Sequence, residues 1–550
     1  MISGFPGGIM NIRDILLVIL FCLVLLAWGC DPGSDSPDPQ PRLNTVPQLT
    51  AVSPTESVSH MPAFTLTATG SDFISSSVIV FNGVEMDTEY VGATELRCVI
   101  QPDDTAAAPA GIQATSSPHT KVTHMDVWVR TSAPGGGDSG TLDFLVMDNH
   151  EFTTSAVTSV APDDDHSPCL AITPDQTLHI IWLDYSYATA SSRTAHIRST
   201  DDGVTWSRTE NFHFPSSYHG LGKNALAVNQ ESHLAAVWTT RTRAVCSMSK
   251  DGGDTWSAPV IAADTADFCW GVAYMSRAAV ALDDEGVAYI AFNLDYSHYD
   301  GHNQDDQIWF VRSIDDGATW SLPVNISQTH QLVPSFIPGN NDVLISEEPF
   351  LAVGPTGNIH LAWHTKAFAY GSPNNWETYF SYIFHVFSSD TGLTWSAAIN
   401  RSKSMDFAYY PEIRFGWNGQ PSLSWHGQDS GIAFSDLRSF PCFLGRAAGI
   451  WREPVDLAPD MTNSFYVTHA VDPLGNINVA WQDDRTGNWE IYYARSIDGG
   501  LTWTEPLNIS NALHSSCHPV LVCDDNCRVY LVWEDIRDGD YKIYFARSGQ

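Results

Sequence analysis

The sequence predicts an all-β chain: a small β unit, then a β-propeller of seven four-stranded repeats. Three observations predict it. A strand word closing on an aromatic residue occurs seven times, ending at Trp182, Trp238, Phe292, Trp363, Trp425, Trp481 and Trp533. Successive closures are 56, 54, 71, 62, 56 and 52 residues apart, the period of a propeller blade. An eight-residue turn, Ser-x-Asp-x-Gly-x-Thr-Trp, recurs at Ser199–Trp206, Ser249–Trp256, Ser313–Trp320, Ser388–Trp395 and Ser496–Trp503.

The clearest repeat shows what one blade contains. A lead-in strand (Val467–Val471) is followed by Asn476–Trp481, then Glu490–Ser496, the turn, and Glu505–Ser510. The fifth repeat lacks the turn but keeps Phe434-Ser-Asp436 and Trp451-Arg-Glu-Pro454. The seventh stops at Tyr544–Ser548, where a fourth strand is due. Phe152–Val160 has the strand pattern to supply it, which would close the ring and remove two open sheet edges.

The chain has 550 residues, 63 acidic against 27 basic, and a formal net charge of −36. Such a surface repels nucleic acid and anionic lipid and favours cations. Residues 1–29 read as a signal peptide, with an apolar run from Ile15 to Gly29 behind Arg13, too short for a confident membrane span. Leu26-Ala27-Trp28-Gly29-Cys30 resembles the lipobox of bacterial lipoproteins, with Ala27 and Trp28 departing from its usual residues. The resemblance implies cleavage before Cys30 and lipid attachment on it. The open alternatives are a plain secretory signal or an uncleaved anchor. Export to the cell envelope, with the lipid as the sole membrane contact, follows as an expectation. Residues 30–46, rich in Pro, Asp and Ser, read as a tether.

Residues 47–146 form a separate β unit in which strand words alternate with turns such as Asn82-Gly83. Val52-Ser-Pro-Thr55, Thr69-Gly-Ser-Asp-Phe73, Val80-Phe-Asn-Gly83 and Pro134-Gly-Gly-Gly-Asp-Ser139 resemble the IPT/TIG family of immunoglobulin-like sandwiches. The resemblance implies a spacer or binding module. Residues 151–550 form the propeller.

The repeated turn resembles the Asp-box of sialidases and BNR-repeat proteins. Its Asp accepts turn N–H groups, its Gly tolerates positive φ, and its Trp packs on the sheet. Asp201, Asp251, Asp315, Asp390 and Asp498 are therefore expected to be scaffold. The resemblance places them away from the functional face. That face is expected at the entrances of the lead-in strands, where His166, Lys223, Arg277, Glu347, Glu348, Tyr410, Thr468-His469 and His518 stand. His166, Lys223, Arg277, Glu348, Tyr410 and His518 are candidates for binding a glycan or another polar ligand, since aromatics stack on sugars and charged groups bond hydroxyls.

A sialidase would need a Tyr nucleophile backed by Glu, an Asp acid and three Arg. Tyr410 with Glu347 or Glu348, and Arg277, are the catalytic candidates. The family's Phe/Tyr-Arg-Ile-Pro word is missing, with Ser167-Pro-Cys-Leu170 in its place, and the family's propeller has six blades. The leading expectation is thus a binding or adhesion protein, with a diverged sialidase-like glycoside hydrolase as the alternative. Acidic loops, including Asp300, Asp305 and Asp306, suggest Ca²⁺ as the only cofactor, against the plainer reading of a solvated rim. Cys523 and Cys527 flank a turn and are expected to form a disulfide in an oxidising compartment.

Overall fold

The structure is a computed structural model. It describes residues 43–58, 63–101, 122–147, 152–158, 163–186, 191–212, 224–268, 273–296, 306–328, 342–369, 378–402, 407–416, 419–428, 439–447, 450–458 and 463–548. Cys30, Lys223, Asp300 and Asp305 lie outside them. Among the described residues the only helix is a single 3₁₀ turn at Thr265–Asp267.

Strands form where apolar residues alternate. In Phe64–Ser71, Leu66 and Ala68 point inward; in Val122–Thr131, Met125, Val127 and Val129 do. They belong to two sheets. One runs Gln48–Ser53, Phe64–Ser71, Glu95–Ile100, Thr88–Gly92. The other runs Glu56–Val58, Leu142–Met147, Val122–Thr131, Ser77–Phe81, Val84–Glu85. Leu66, Phe81, Leu96, Val127 and Phe144 fill the space between them.

From residue 152 onward the described residues form seven four-stranded antiparallel blades, five of them separate sheets and two, blades 4 and 5, merged into one eight-stranded sheet by a parallel pairing of Ser381 with Phe407. Their first strands are Asp163–Ile172, Asn224–Val228, Ala273–Leu282, Asp342–Val353, Phe407–Phe415, Ser464–Val471 and Ser516–Cys523. Each packs against the first strand of the next sheet, and the last packs against the first, giving a closed propeller. Second strands such as Ile477–Asp483 and Val529–Asp535 are buried along their whole length. A blade has neighbours on both faces, so its central strands read as continuous apolar runs rather than alternating ones.

Blade 7 takes its fourth strand from the start of the propeller. Phe152–Ala156 pairs antiparallel with Lys542–Ser548, Phe152 opposite Ser548 and Ala156 opposite Tyr544. The Phe152 ring packs edge-on against Tyr493 of blade 6 at 5.0 Å.

The five repeated turns lie between third and fourth strands and share one set of hydrogen bonds. In the first, Thr205 N donates to Asp201 Oδ1 at 2.8 Å and Thr205 Oγ1 to Asp201 Oδ2 at 2.6 Å. Gly203 N donates to Ser199 Oγ at 2.8 Å. Asp251, Asp315, Asp390 and Asp498 receive the same Thr amide. These bonds, with the Thr hydroxyl first, hold the Asp390 carboxyl at about 2. The five carboxylates are thus occupied within their own turns.

The same turns join neighbouring blades. Gly203 (φ 79°) sits so close to blade 7 that an added Cβ would lie 2.3 Å from Phe545 Cε1. Gly253, Gly317, Gly392 and Gly500 meet His179, Met248, Phe310 and Phe443 of the preceding blade in the same way. Arg312 likewise donates to the Thr391 carbonyl of the next turn at 2.7 Å, and Arg452 to the Gly499 carbonyl at 2.8 Å. Blade 5 has no such turn, and there Trp451 covers His385 of blade 4 edge-on at 5.7 Å.

Cys523 and Cys527 are free thiols, and the expected disulfide is not formed. Asp524 closes that turn alone, accepting the amides of Asn526 at 2.8 Å and Arg528 at 2.7 Å. Cys523 instead faces blade 6, its Sγ 3.4 Å from Asn478 Nδ2.

Candidate functional site

A cavity of about 530 Å³ follows the propeller axis, and all seven first strands line it. Its wall is apolar along most of each strand, for example Leu226, Val280, Leu351 and Val520. One end is polar: Ser167, Arg277, Glu348, Tyr410, Tyr466 and His518 stand there.

A repeated backbone irregularity brings these six together. Six of the seven first strands slip register near their start, between His166 and Cys169, Met275 and Ala278, Glu347 and Phe350, Tyr409 and Glu412, Phe465 and Thr468, and Cys517 and Val520. In five of them the bulge contains a non-glycine residue in the left-handed region: Ser167 (φ 53°), Glu348 (56°), Tyr410 (53°), Tyr466 (50°) and His518 (55°). A bulge re-aims a side chain. A left-handed non-glycine residue costs on the order of 1–3 kcal/mol and persists where its surroundings over-determine it. Five such residues at equivalent places on one cavity end make a preformed ring.

The surroundings that hold them are on the preceding blade. In three blades the residue just after the closing aromatic of the second strand reaches the amide of the next blade's bulge residue. Glu534 Oε1 accepts the Ser167 amide at 2.7 Å, and Gln482 Oε1 accepts the His518 amide at 3.1 Å. His364 Nδ1 faces the Tyr410 amide at 3.5 Å, and within Tyr410's own blade His426 stacks on its ring at 5.2 Å.

Within the ring, Arg277 and Glu348 form an ion pair, and the Arg277 guanidinium lies 5.2 Å from the Tyr410 ring centre. Tyr410 and Tyr466 are 5.0 Å apart, centre to centre, and Tyr466 meets His518 edge-on at 4.3 Å. Glu534 Oε2 is 3.2 Å from His518 Nδ1 and 3.4 Å from His166 Nδ1. Burial alone would raise the Glu534 carboxyl; the His166, His518 and Ser167 contacts outweigh it and hold it at about 2. Burial would likewise lower His166, but Glu534 raises it above the ordinary imidazole value. Burial first, then the Glu348 charge, push the Tyr410 phenol above its ordinary value, and burial does the same to Tyr466. Both phenols therefore keep their protons at neutral pH.

The ring thus brings together His166, Arg277, Glu348, Tyr410 and His518 of the residues singled out in the sequence. Glu347 is turned to Lys366 Nζ at 2.8 Å. Asp306 is buried, its backbone carbonyl accepting the Ser346 amide at 3.1 Å. Among the described residues no three metal-ligating side chains are grouped to hold an ion. The entrance of the sixth lead-in strand lies two residues earlier than expected. It is Tyr466, while His469 is buried between Ser422 Oγ at 2.8 Å and Ser424 Oγ at 2.9 Å.

Tyr466 and Glu534 were missed, and the sequence held a signal for each. Proline inside a strand marks a bulge, and Pro168, Pro349, Pro411 and Pro519 each follow a ring residue. Aligning Val467 with those prolines selects Tyr466. The position after the closing aromatic reads Leu183, Thr239, Asn293, His364, His426, Gln482, Glu534. Polar residues at six of seven copies, directly after a buried apolar run, required a partner.

No protein-family model matches the chain, and no curated protein matches it. Several solved structures resemble it. A polysaccharide lyase described as an ulvan lyase is 12% identical, covering 71% of this chain and 95% of that one, with a TM-score of 0.46. A Hadza microbial sialidase is 13% identical over 92% and 96%, with a TM-score of 0.39. An α-L-arabinanase of Penicillium chrysogenum is 13% identical over 72% and 98%, with a TM-score of 0.40. The likeness is one of fold.

Proposed function

We propose that the chain is an exported, lipid-anchored envelope protein whose propeller mouth recognises a glycan. The observation that carries the reading is the ring of left-handed residues. It sets two tyrosine faces beside an ion-paired Arg and Glu and a histidine, in fixed positions around one cavity. Aromatic faces suit the C–H face of a sugar, and the charged groups suit its hydroxyls. Sialidase-like cleavage has less support. Tyr410 is not poised as a nucleophile, because its proton is held more firmly than in a free phenol. Glu348, which would have to assist it, is paired with Arg277.

The full chain on a glycan array, with calorimetry on the hits, tests the recognition reading. Tyr466→Ala should weaken binding about tenfold or more, the loss of one stacking contact of about 1–1.5 kcal/mol plus its buried area. Unchanged affinity, or no glycan bound by the wild type, overturns it. Hydrolysis of a fluorogenic sialoside, lost in Tyr410→Phe, would favour the hydrolase instead. The anchor rests on the short apolar run ending at Cys30. Cells fed a labelled fatty acid should label the wild type and not Cys30→Ala; an unlabelled wild type overturns the anchor.

A further inference from the structure

Glu534 does more than brace a bulge. It is buried, and its carboxylate meets the Nδ1 atoms of two imidazoles, His518 at 3.2 Å and His166 at 3.4 Å. His518 Nδ1 is buried and makes no hydrogen bond, which leaves Nε2 to meet a proton, and the carboxylate close beside the ring stabilises the imidazolium when that proton arrives. His518 lines the cavity, its side chain is 35% exposed, and its bulged backbone is pinned by Gln482. Tyr466 is against its ring and Tyr410 is next to Tyr466.

What these groups lack is as informative as what they supply. Cleaving a glycosidic bond calls for a carboxylic acid to protonate the leaving oxygen. Among the described residues Glu347, Glu348 and Glu534 at this end of the cavity are each ion-paired, with Lys366, Arg277 and the two histidines. Two carboxyls nearby are raised by burial, and neither serves. Asp165, at about 6, accepts from Trp182 Nε1 at 2.7 Å and does not line the cavity. Glu412 is one layer deeper and locked to Arg414. An oriented imidazole base beside phenolic O–H donors suits attack of water on a carbonyl, where the donors can hydrogen-bond the oxyanion.

We propose that the mouth is an esterase site, in which His518, backed by the Glu534 charge, activates water against an O-acyl group of the bound sugar. The proposal rests on the reading of the mouth as a glycan site. His518 Nε2 takes a proton from water as the water oxygen bonds to the acyl carbon. The carbonyl electron pair moves onto its oxygen, which accepts a hydrogen bond from the Tyr466 phenol, itself hydrogen-bonded by Tyr410. The carbonyl then reforms, the bond from the acyl carbon to the sugar oxygen breaks, and the proton on Nε2 passes to that oxygen. Water and ester become a carboxylic acid and a sugar hydroxyl, and nothing else is consumed.

The test follows acetate release by the full chain from a peracetylated methyl glucoside. The wild type should release acetate, with kcat/KM rising with pH as the general base becomes available and then levelling. His518→Gln should lower kcat about 100-fold or more, the usual range for a general base. Glu534→Gln should lower kcat about tenfold or more with little change in KM, and should displace the pH limb, because it acts through the histidine. His518→Asn and the pH profile of the wild type keep the idea open to refutation where a variant folds poorly. A wild type that binds the unacetylated methyl glucoside but releases no acetate overturns the esterase and leaves glycan recognition standing. A wild type that releases acetate yet binds no glycan overturns recognition. Equal release by wild type and His518→Gln, or a rate flat between pH 5 and 8, overturns the role of His518.

Discussion

Removing residues 1–161 should leave a propeller that melts well below the full chain or fails to stay soluble. The lost segment contains Phe152–Ala156, which completes blade 7 beside Lys542–Ser548. Beyond the ladder, Val157 N donates to the Ile543 carbonyl at 2.9 Å and Thr158 Oγ1 accepts from Ile543 N at 3.1 Å. Roughly five to seven hydrogen bonds at about 1 kcal/mol each disappear, and the Phe152 ring leaves Tyr493. The third strand of blade 7 then presents an unpaired edge, an aggregation surface. The comparison that isolates the strand is a chain beginning at residue 148 against one beginning at residue 162. Equal melting temperatures and solubility for the two would show that the ring does not depend on this strand.

Stability should also collapse on mild acidification, well before most carboxylates titrate. Five histidines are buried as neutral groups. Burial lowers His179 to about 4 and His196, His426 and His469 to about 3, and takes His364 well below the ordinary value. The unfolded chain protonates them near 6.5. Between pH 6.5 and about 4 the unfolded state therefore binds protons that the folded state refuses, and folding weakens as pH falls. Each site contributes on the order of 3 kcal/mol of loss by pH 4. Asp165, Glu412 and His166, raised in the fold, oppose this, but they are three against five. Glu534, held near 2, adds its own loss lower still. Denaturant midpoints measured from pH 7 to pH 4.5 should fall steeply, and His196→Asn should flatten the slope by removing one half of the His179–His196 pair, now 3.1 Å apart. A midpoint constant over that range would contradict the assignment of these residues as neutral.

How much of this was legible in the sequence depended on repetition. The seven closing aromatics, and the strand missing from the last repeat, were visible because each blade restates the same burial problem. Single residues were legible only where composition betrayed them. Arg277 and Glu348 stood out as charges on apolar strands. Tyr466 did not, because tyrosine is at home in any strand and Val467 replaces the proline that marks the other four left-handed bulges. Glu534 was hidden among acidic neighbours that read as a solvated rim. Its partners, His166 and His518, are more than ten residues away along the chain and meet it only after the ring forms. The cysteine pair misled for the converse reason: proximity in sequence suggested a staple, where one aspartate was enough to close the turn.

Where one blade braces the next one's bulge, as blades 4, 6 and 7 do, the ring's parts depend on one another. The last of these links is Glu534, which grips Ser167 and His166 from the opposite terminus of the propeller. The cavity mouth therefore sits astride the seam where the two ends of the propeller meet. A sugar resting on His166 and His518 together would clasp that seam. The molecule's weakest joint and its most specific surface would then be fastened by the same guest, and the warmth at which the ring opens would register whether the guest is present.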